Sequence, residues 1–165
     1  MGSIEMHAGD ELAYWRGTNM SSEKKRMDFL KADAVQGFTA YCGLTPISLE
    51  NGRFVTRVRL KEHHLQQDGF AHAGVIATMA DHTAGYASYT VVPVDRRILT
   101  VEYKINFLAP AAGDFLECRA KVVRQGKQLL VAESEVYTIS RNKETLVAKA
   151  LLTMAAVPKR KIQTP

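Results

Sequence analysis

Between Ala73 and Thr90 the chain reads Ala-Gly-Val-Ile-Ala-Thr-Met-Ala-Asp-His-Thr-Ala-Gly-Tyr-Ala-Ser-Tyr-Thr. The segment is too rich in alanine for a strand, and Pro93 stops it. It is predicted to be a helix that is apolar nearly all round, and such a helix has to be buried. Everything that follows reads as strands. Val101, Tyr103, Ile105 and Phe107 alternate with Glu102, Lys104 and Asn106. Residues 109–114 form a turn, 115–124 and 128–140 are two strands around Gln125-Gly126-Lys127, and a last strand runs over 145–156. One buried helix among antiparallel strands leaves one solution, an α+β fold in which the sheet curls around the helix. Alanines 73, 77, 80, 84 and 87 would form the small face that lets the strands come close.

The chain before this helix fits the same plan. Phe54, Val58 and Leu60 alternate with Arg53, Arg57 and Arg59, which marks a half-buried strand. Asn51-Gly52 is a hairpin turn, so 46–50 is the partner strand. Ser21 or Ser22 offers an N-cap for a helix over about 22–41, with Met27, Leu30, Ala34, Phe38 and Tyr41 at helical spacing and Gly43 after its end. Strands joined by short turns should be antiparallel neighbours. The expected organisation is an arm at 1–20, docked through Tyr14 and Trp15, one domain at 21–157 and a loose basic tail at 158–165.

Composition narrows the function classes. The chain of 165 residues is 46% apolar and 24% charged, as ordinary globular proteins are. Its 22 Lys and Arg against 17 Asp and Glu give a net charge of +5, too small to demand nucleic acid. No stretch is long enough for a membrane helix, and the first ten residues lack a signal-peptide core. Cys42 and Cys118 form no CxxC and read as small core residues of a reduced, cytoplasmic protein. In that compartment the Asn19 sequon has no meaning.

One region carries chemistry. His63, His64, Gln66, Gln67, Asp68 and His72 precede the apolar helix, and Asp81 and His82 lie within it. Asp81 has no Lys or Arg at i±3 or i±4, and a buried carboxylate without a partner is costly. It is therefore expected to be kept for function, the alternative being that it faces solvent on an exposed stripe. Gly69-Phe70-Ala71-His72-Ala73-Gly74 runs into the helix start, where free backbone N–H groups can hold an anion or simply shape a turn.

The pattern His64-x-Gln66-x-x-Gly69-x-x-His72-Ala73-Gly74, with Asp81 downstream, resembles the H-x-N-x-x-G-x-x-H-G-G motif of hotdog-fold acyl-CoA thioesterases of the PaaI-like, phenylacetate-pathway type. Residues 101–111 look like that family's strand ending in a hydrophobic-x-P-A turn, and Arg124-Gln125-Gly126-Lys127 like its next hairpin. The resemblance spans about 43–156 and leaves the N-terminal helix outside it. Two positions depart from the motif: Gln66 replaces Asn, and Ala73 replaces Gly.

The resemblance implies a thioester hydrolase acting on an aryl- or medium-chain acyl-CoA, with no cofactor. Asp81 would be base or nucleophile, the Ala73 N–H the oxyanion donor, Gln66 and His72 the positioning groups, and Thr100 a holder of the water. His64, Gly74, Arg124, Gly126 and Lys127 would contact substrate. Among the cations of 119–127, a solvated strand face and nucleotide binding stay open for each residue. Phe70, Met79, Tyr86 and Tyr89 are open between acyl pocket and core.

Eight residues separate Ala73 from Asp81, about 12 Å along a helix. One helix cannot bring both to one carbonyl, so a homodimer is expected to share the site, with dimers pairing into tetramers as a further expectation. A metal centre is disfavoured because the His spacings fit no zinc pattern. A hotdog dehydratase shares the fold, and a non-catalytic acyl-CoA-binding protein would not need Asp81. Nucleic-acid binding through the basic tail lacks any recognition element.

Overall fold

The computed structural model describes residues 22–141 and 143–159. The expected arm, with Tyr14 and Trp15, and the tail beyond Lys159 lie outside them. The elements run α1 (22–33), α2 (Gly37–Tyr41), β1 (Leu44–Glu50), β2 (Arg53–Arg59), a 3-10 turn (Glu62–His64), α3 (Ala73–Tyr89), β3 (Arg96–Phe107), β4 (Phe115–Gln125), β5 (Leu129–Ser140) and β6 (Lys143–Pro158). Six antiparallel strands form one sheet in the order β1-β2-β4-β5-β6-β3. This is the α+β hotdog architecture, a curled sheet wrapped on a central helix.

Alternation along the strands builds the core. Phe54, Val58, Leu116, Leu130, Leu152 and Met154 point inward and are almost completely buried. They meet a face of α3 made of Ile76, Met79, Ala80, Ala84 and Ala87. Two buried hydrogen bonds pin that face: the Thr56 and Thr83 hydroxyls lie 2.7 Å apart, and Ser134 Oγ donates to the Ala80 carbonyl at 2.7 Å. The small face is narrower than the sequence pattern suggests. Ala73 is exposed and Ala77 half-buried, because they lie on the side of α3 turned away from the sheet. The helix is therefore not buried all round, since Gly74, Ala77, Thr78, Asp81 and Gly85 form a stripe that the sheet does not cover.

The helix expected over 22–41 is broken at 34–36. Gly37 takes φ +55, which re-aims the chain into the short α2. The periodicity through Phe38 and Tyr41 consequently does not reach the core, for both are more than half exposed and Thr39 is buried instead. Gly43 follows α2 at φ +68, as expected of a residue past a helix end. The strand β6 continues through Pro158, which pairs with Arg96, so the tail begins later than 158.

Short turns make antiparallel neighbours at β1–β2, β4–β5 and β5–β6, but not at β3–β4. Residues 108–114 instead cross the end of the sheet. Leu108 N–H donates to Val147 O on β6, Asp114 N–H to Ile139 O on β5, and Ala111 O receives the Ala71 N–H, each at 2.8 Å. Gly113 is needed there, since a Cβ would stand 2.9 Å from Ile139 O. The connector leaves β3 as an edge strand and ties down the loop that leads into α3.

Three contacts latch the N-terminal segment onto α3. Arg26 donates to the Tyr89 carbonyl at 2.7 Å and to that of Val92, the Tyr86 hydroxyl donates to Asp33 Oδ2 at 2.7 Å, and His82 Nε2 lies 2.8 Å from the Ala34 carbonyl. Burial lowers the His82 pKa, against the opposing pull of the Ala34 carbonyl, Asp81 and Asp33. The folded chain thus refuses a proton that the unfolded chain accepts. Stability should be full above about pH 6.5 and fall as the pH drops below it. Urea titrations from pH 7.5 to 5.5 should show that fall, and His82→Gln should lessen it, leaving the part due to His64, whose pKa burial also lowers.

Packing of α3 is the tightest constraint in the fold. Ala84→Leu should destabilise by about 1–3 kcal/mol through overpacking against the sheet, read as a lower urea midpoint with an unchanged slope. An unshifted midpoint would mean that the helix and sheet are not in close contact there.

Candidate active site

The loop before α3 is held from three sides. Gln66 N–H donates to Phe70 O at 2.8 Å, and Gly69, at φ +80, closes that turn with its N–H on Gln66 O at 3.0 Å. His72 N–H donates to His64 O at 2.8 Å, and Leu65 bridges Ala71. These bonds fix the entry of α3.

His72 is the N-cap of α3. Its Nδ1 accepts the Gly74 N–H at 2.9 Å, so in the neutral ring Nε2 carries the proton and points it outward. The Ala73 N–H, one position earlier, has no acceptor within the helix. A Cβ on Gly74 would lie 3.0 Å from His72 Nδ1, so this glycine leaves room for the capping ring.

Asp81 lies on the uncovered stripe of α3 and is half-buried. The reading that it is sunk among apolar residues does not hold within one chain. Its partner comes from β3: the Thr100 hydroxyl donates to Asp81 Oδ1 at 2.7 Å, with Met154 Sδ 3.5 Å behind that hydroxyl. Thr100 stands beside a bulge between Thr100 and Glu102 in the β3–β6 ladder. Such a bulge re-aims side chains locally.

The single chain does not gather the sequence-derived residues in one place. His72 and Gly74 border a cavity of about 350 Å3 walled by Phe38, Tyr41, His63 and Val75. Gln66 and Ala73 border another of about 230 Å3 with Phe70, Phe107 and Pro110. Arg124, Gly126 and Lys127 border a third, of about 590 Å3, with Gln128, Leu129 and Thr153. Asp81 lines none of them.

His64 also borders the first cavity, with almost none of its surface open. It is 2% exposed, its Nδ1 accepts the Lys61 N–H at 3.1 Å, and its Nε2 has no hydrogen-bond partner. Burial first, then the neighbouring His63 and Lys61 charges, lower its pKa. Gly126 has a backbone reason to be glycine, since a Cβ would meet Leu129 O at 2.6 Å. Half of the basic run is already paired: Arg119 binds Glu117 and Glu144, and Lys121 binds Glu133. Arg124 and Lys127 make no ion pair among the described residues. Phe38 and Tyr41 were missed as cavity walls because only the break after α1 brings them there.

The family model described as the thioesterase superfamily matches residues 68–145. The crystal structure of a thioesterase family protein from Silicibacter pomeroyi is 33% identical, covers 78% of this chain and 96% of its own, and superposes with a TM-score of 0.76. The chain belongs to the thioesterase superfamily. A mutant of the phenylacetic acid degradation protein PaaI from Thermus thermophilus is 26% identical over 73% of this chain and 98% of its own, with a TM-score of 0.63. A 1,4-dihydroxy-2-naphthoyl-CoA hydrolase from Listeria monocytogenes is 26% identical over 76% of this chain and 99% of its own. The resemblance to PaaI-like thioesterases therefore holds in both sequence and fold, and the protein is a thioester hydrolase. Among the described residues no helix is long and apolar enough to cross a membrane.

The geometry at the α3 entrance makes a direct prediction. Gly74→Ala should push the His72 ring from its cap and lower kcat/KM by about 10–100-fold while leaving the urea midpoint nearly unchanged. Wild-type kcat/KM in this variant would show that the placement of His72 is not needed.

Proposed function

We propose that the protein hydrolyses an aryl- or medium-chain acyl-CoA at a site shared by two copies of the chain. The observation that carries this reading is the position of Asp81. It is held by Thr100 on a stripe of small residues that faces away from its own sheet, beside the unpaired edge of β3. Val101, Tyr103 and Phe107 on β3 are large apolar side chains left about half exposed. An unpaired, apolar edge strand is a template for another chain. A second copy added there, antiparallel, brings a second α3 along the first, and Gly74, Ala77 and Gly85 leave room for the approach. Asp81 of one copy then meets Ala73, His72 and Gln66 of its partner.

The chemistry follows from that pairing. Asp81, aligned by the Thr100 hydroxyl, takes a proton from a water whose oxygen attacks the thioester carbon, or attacks that carbon itself. The carbonyl oxygen gains the charge and receives the free Ala73 N–H at the positive end of α3. Gln66 and the outward N–H of His72 orient the carbonyl and the water. Collapse breaks the C–S bond, and the thiolate leaves as coenzyme A after protonation. Where Asp81 attacks, water must then cleave the resulting anhydride. The aromatic walls contributed by Phe38, Tyr41 and His63 suit an aryl group, and the unpaired Arg124 and Lys127 suit the phosphates of coenzyme A.

Mixed subunits test the shared site. Asp81→Asn and His72→Ala homodimers should each be nearly inactive on benzoyl- and phenylacetyl-CoA. A mixture exchanged through mild denaturant should recover about a quarter of wild-type activity, because half the dimers are mixed and each holds one intact site. No recovery, with exchange verified by native mass spectrometry, would sink the shared-site reading.

A further inference from the structure

Five cations gather at a place to which the hydrolytic reading assigns no residue. Beyond the C-terminal end of α3, between α1 and the start of β3, lies a cavity of about 300 Å3. Phe29, Leu30, Pro93 and Val94 give it apolar walls. Lys25, Arg26, Arg96, Arg97 and Lys159 stand around them, against the single acid Asp33. Asp33 is already engaged, accepting from the Tyr86 hydroxyl and from Gln36. Arg26 is spent on the carbonyls of Tyr89 and Val92, and Arg96 leans on Asp95 at 3.7 Å. Lys25, Arg97 and Lys159 remain, each from a different element, each exposed and without a side-chain partner among the described residues.

We propose that this cavity binds an amphiphilic carboxylate, a free fatty acid, at a site separate from that of hydrolysis. The chemistry of the walls selects the ligand. They hold no serine, threonine, asparagine or glutamine, so apart from the Tyr89 hydroxyl they offer no neutral group to read a sugar or a base. Apolar walls take the tail, and the three free cations at the rim take the head group. The volume is at the lower end for small-molecule sites, as a single alkyl chain requires. Arg26 and Tyr86 lock α1 to α3, so the walls are held in place before any ligand arrives. Asp81 lies eight residues back from Tyr89, about 12 Å along α3, and neither it nor Thr100 borders the cavity.

The test is calorimetric titration of the full chain with dodecanoate, dodecyltrimethylammonium and acyl-free coenzyme A. Dodecanoate should bind at one site per chain with the same affinity in wild type and in Asp81→Asn. The double variant Lys25→Glu, Lys159→Glu should weaken it about tenfold or more, the sum of two lost and reversed surface charges. Val94→Trp, at an exposed wall position, should block it by filling the cavity, and both variants should hydrolyse thioesters as wild type does. The proposal is overturned if dodecanoate does not bind, if the charge reversal leaves its affinity unchanged, or if the cationic amphiphile binds equally well. Coenzyme A binding lost through the same reversal would make the cavity a nucleotide site and overturn it too. So would a change of oligomeric state in the charge-reversed variant, which would make the cavity an interface between copies. Hydrolysis is measured separately, so dodecanoate binding in a chain without thioesterase activity would leave this proposal standing and remove the other.

Discussion

The close approach of α3 to the sheet governs the rest of the molecule. Ala80, Ala84 and Ala87 are fully buried because the strands reach the helix backbone across them, and the Thr56–Thr83 and Ser134–Ala80 hydrogen bonds fix its rotation. With that rotation set, the identity of the opposite stripe is no longer free. Gly74, Ala77, Thr78, Asp81 and Gly85 must face outward, and an ionisable side chain in a mostly apolar helix ends up at the surface of one chain. The catalytic candidate is thus positioned by residues that take no part in chemistry.

The edge strand completes the same logic. The connector 108–114 carries the chain from β3 across β6 and β5 to β4, so β3 pairs on one side only. Its burial is correspondingly poor, with Val101 and Phe107 at least half exposed. Thr100 belongs to this strand, and its hydroxyl reaches Asp81. One strand therefore both holds the carboxylate and forms an unpaired edge of the sheet. The carboxylate and any interface through that edge are mechanically coupled.

Most of the fold was legible because alternation and alanine content are local signals. The strand order of elements, the hairpin at Asn51-Gly52 and the glycine at 43 follow from neighbours in sequence. Two features were not legible. The break at 34–36 lies between Gly37 at positive φ and contacts from a distant helix, His82 to Ala34 and Tyr86 to Asp33, whereas spacing alone extended the periodicity to Tyr41. The rotation of α3 depends on which alanines meet strands, and a helix of small residues has no strong moment to reveal it. For the site, the motif spacing singled out His72, Gln66 and Asp81 as candidates, which one chain leaves apart. It could not tell that His64 is buried with its Nδ1 on the Lys61 N–H, since a buried and an exposed histidine read alike in sequence.

Charge shows the same limit from another side. The run from Arg119 to Lys127 looks like an anion site in sequence, yet its first half is neutralised on the outer face of the sheet. Burial works to raise the Glu117 pKa, but the hydrogen bonds from Arg57 and Arg119 outweigh it and hold the carboxyl below the usual range. Across the strands, Lys149 pairs with Glu135 and Lys121 with Glu133. Cross-strand geometry allows this pairing because opposite residues on one face stand close together. Around the α1–β3 cavity, Lys25, Arg97 and Lys159 have no such neighbours among the described residues, because they come from a helix, a strand start and a strand end that meet only at the rim. A net charge counts both kinds alike. What attracts an anion is the unpaired kind, and its location is set by topology.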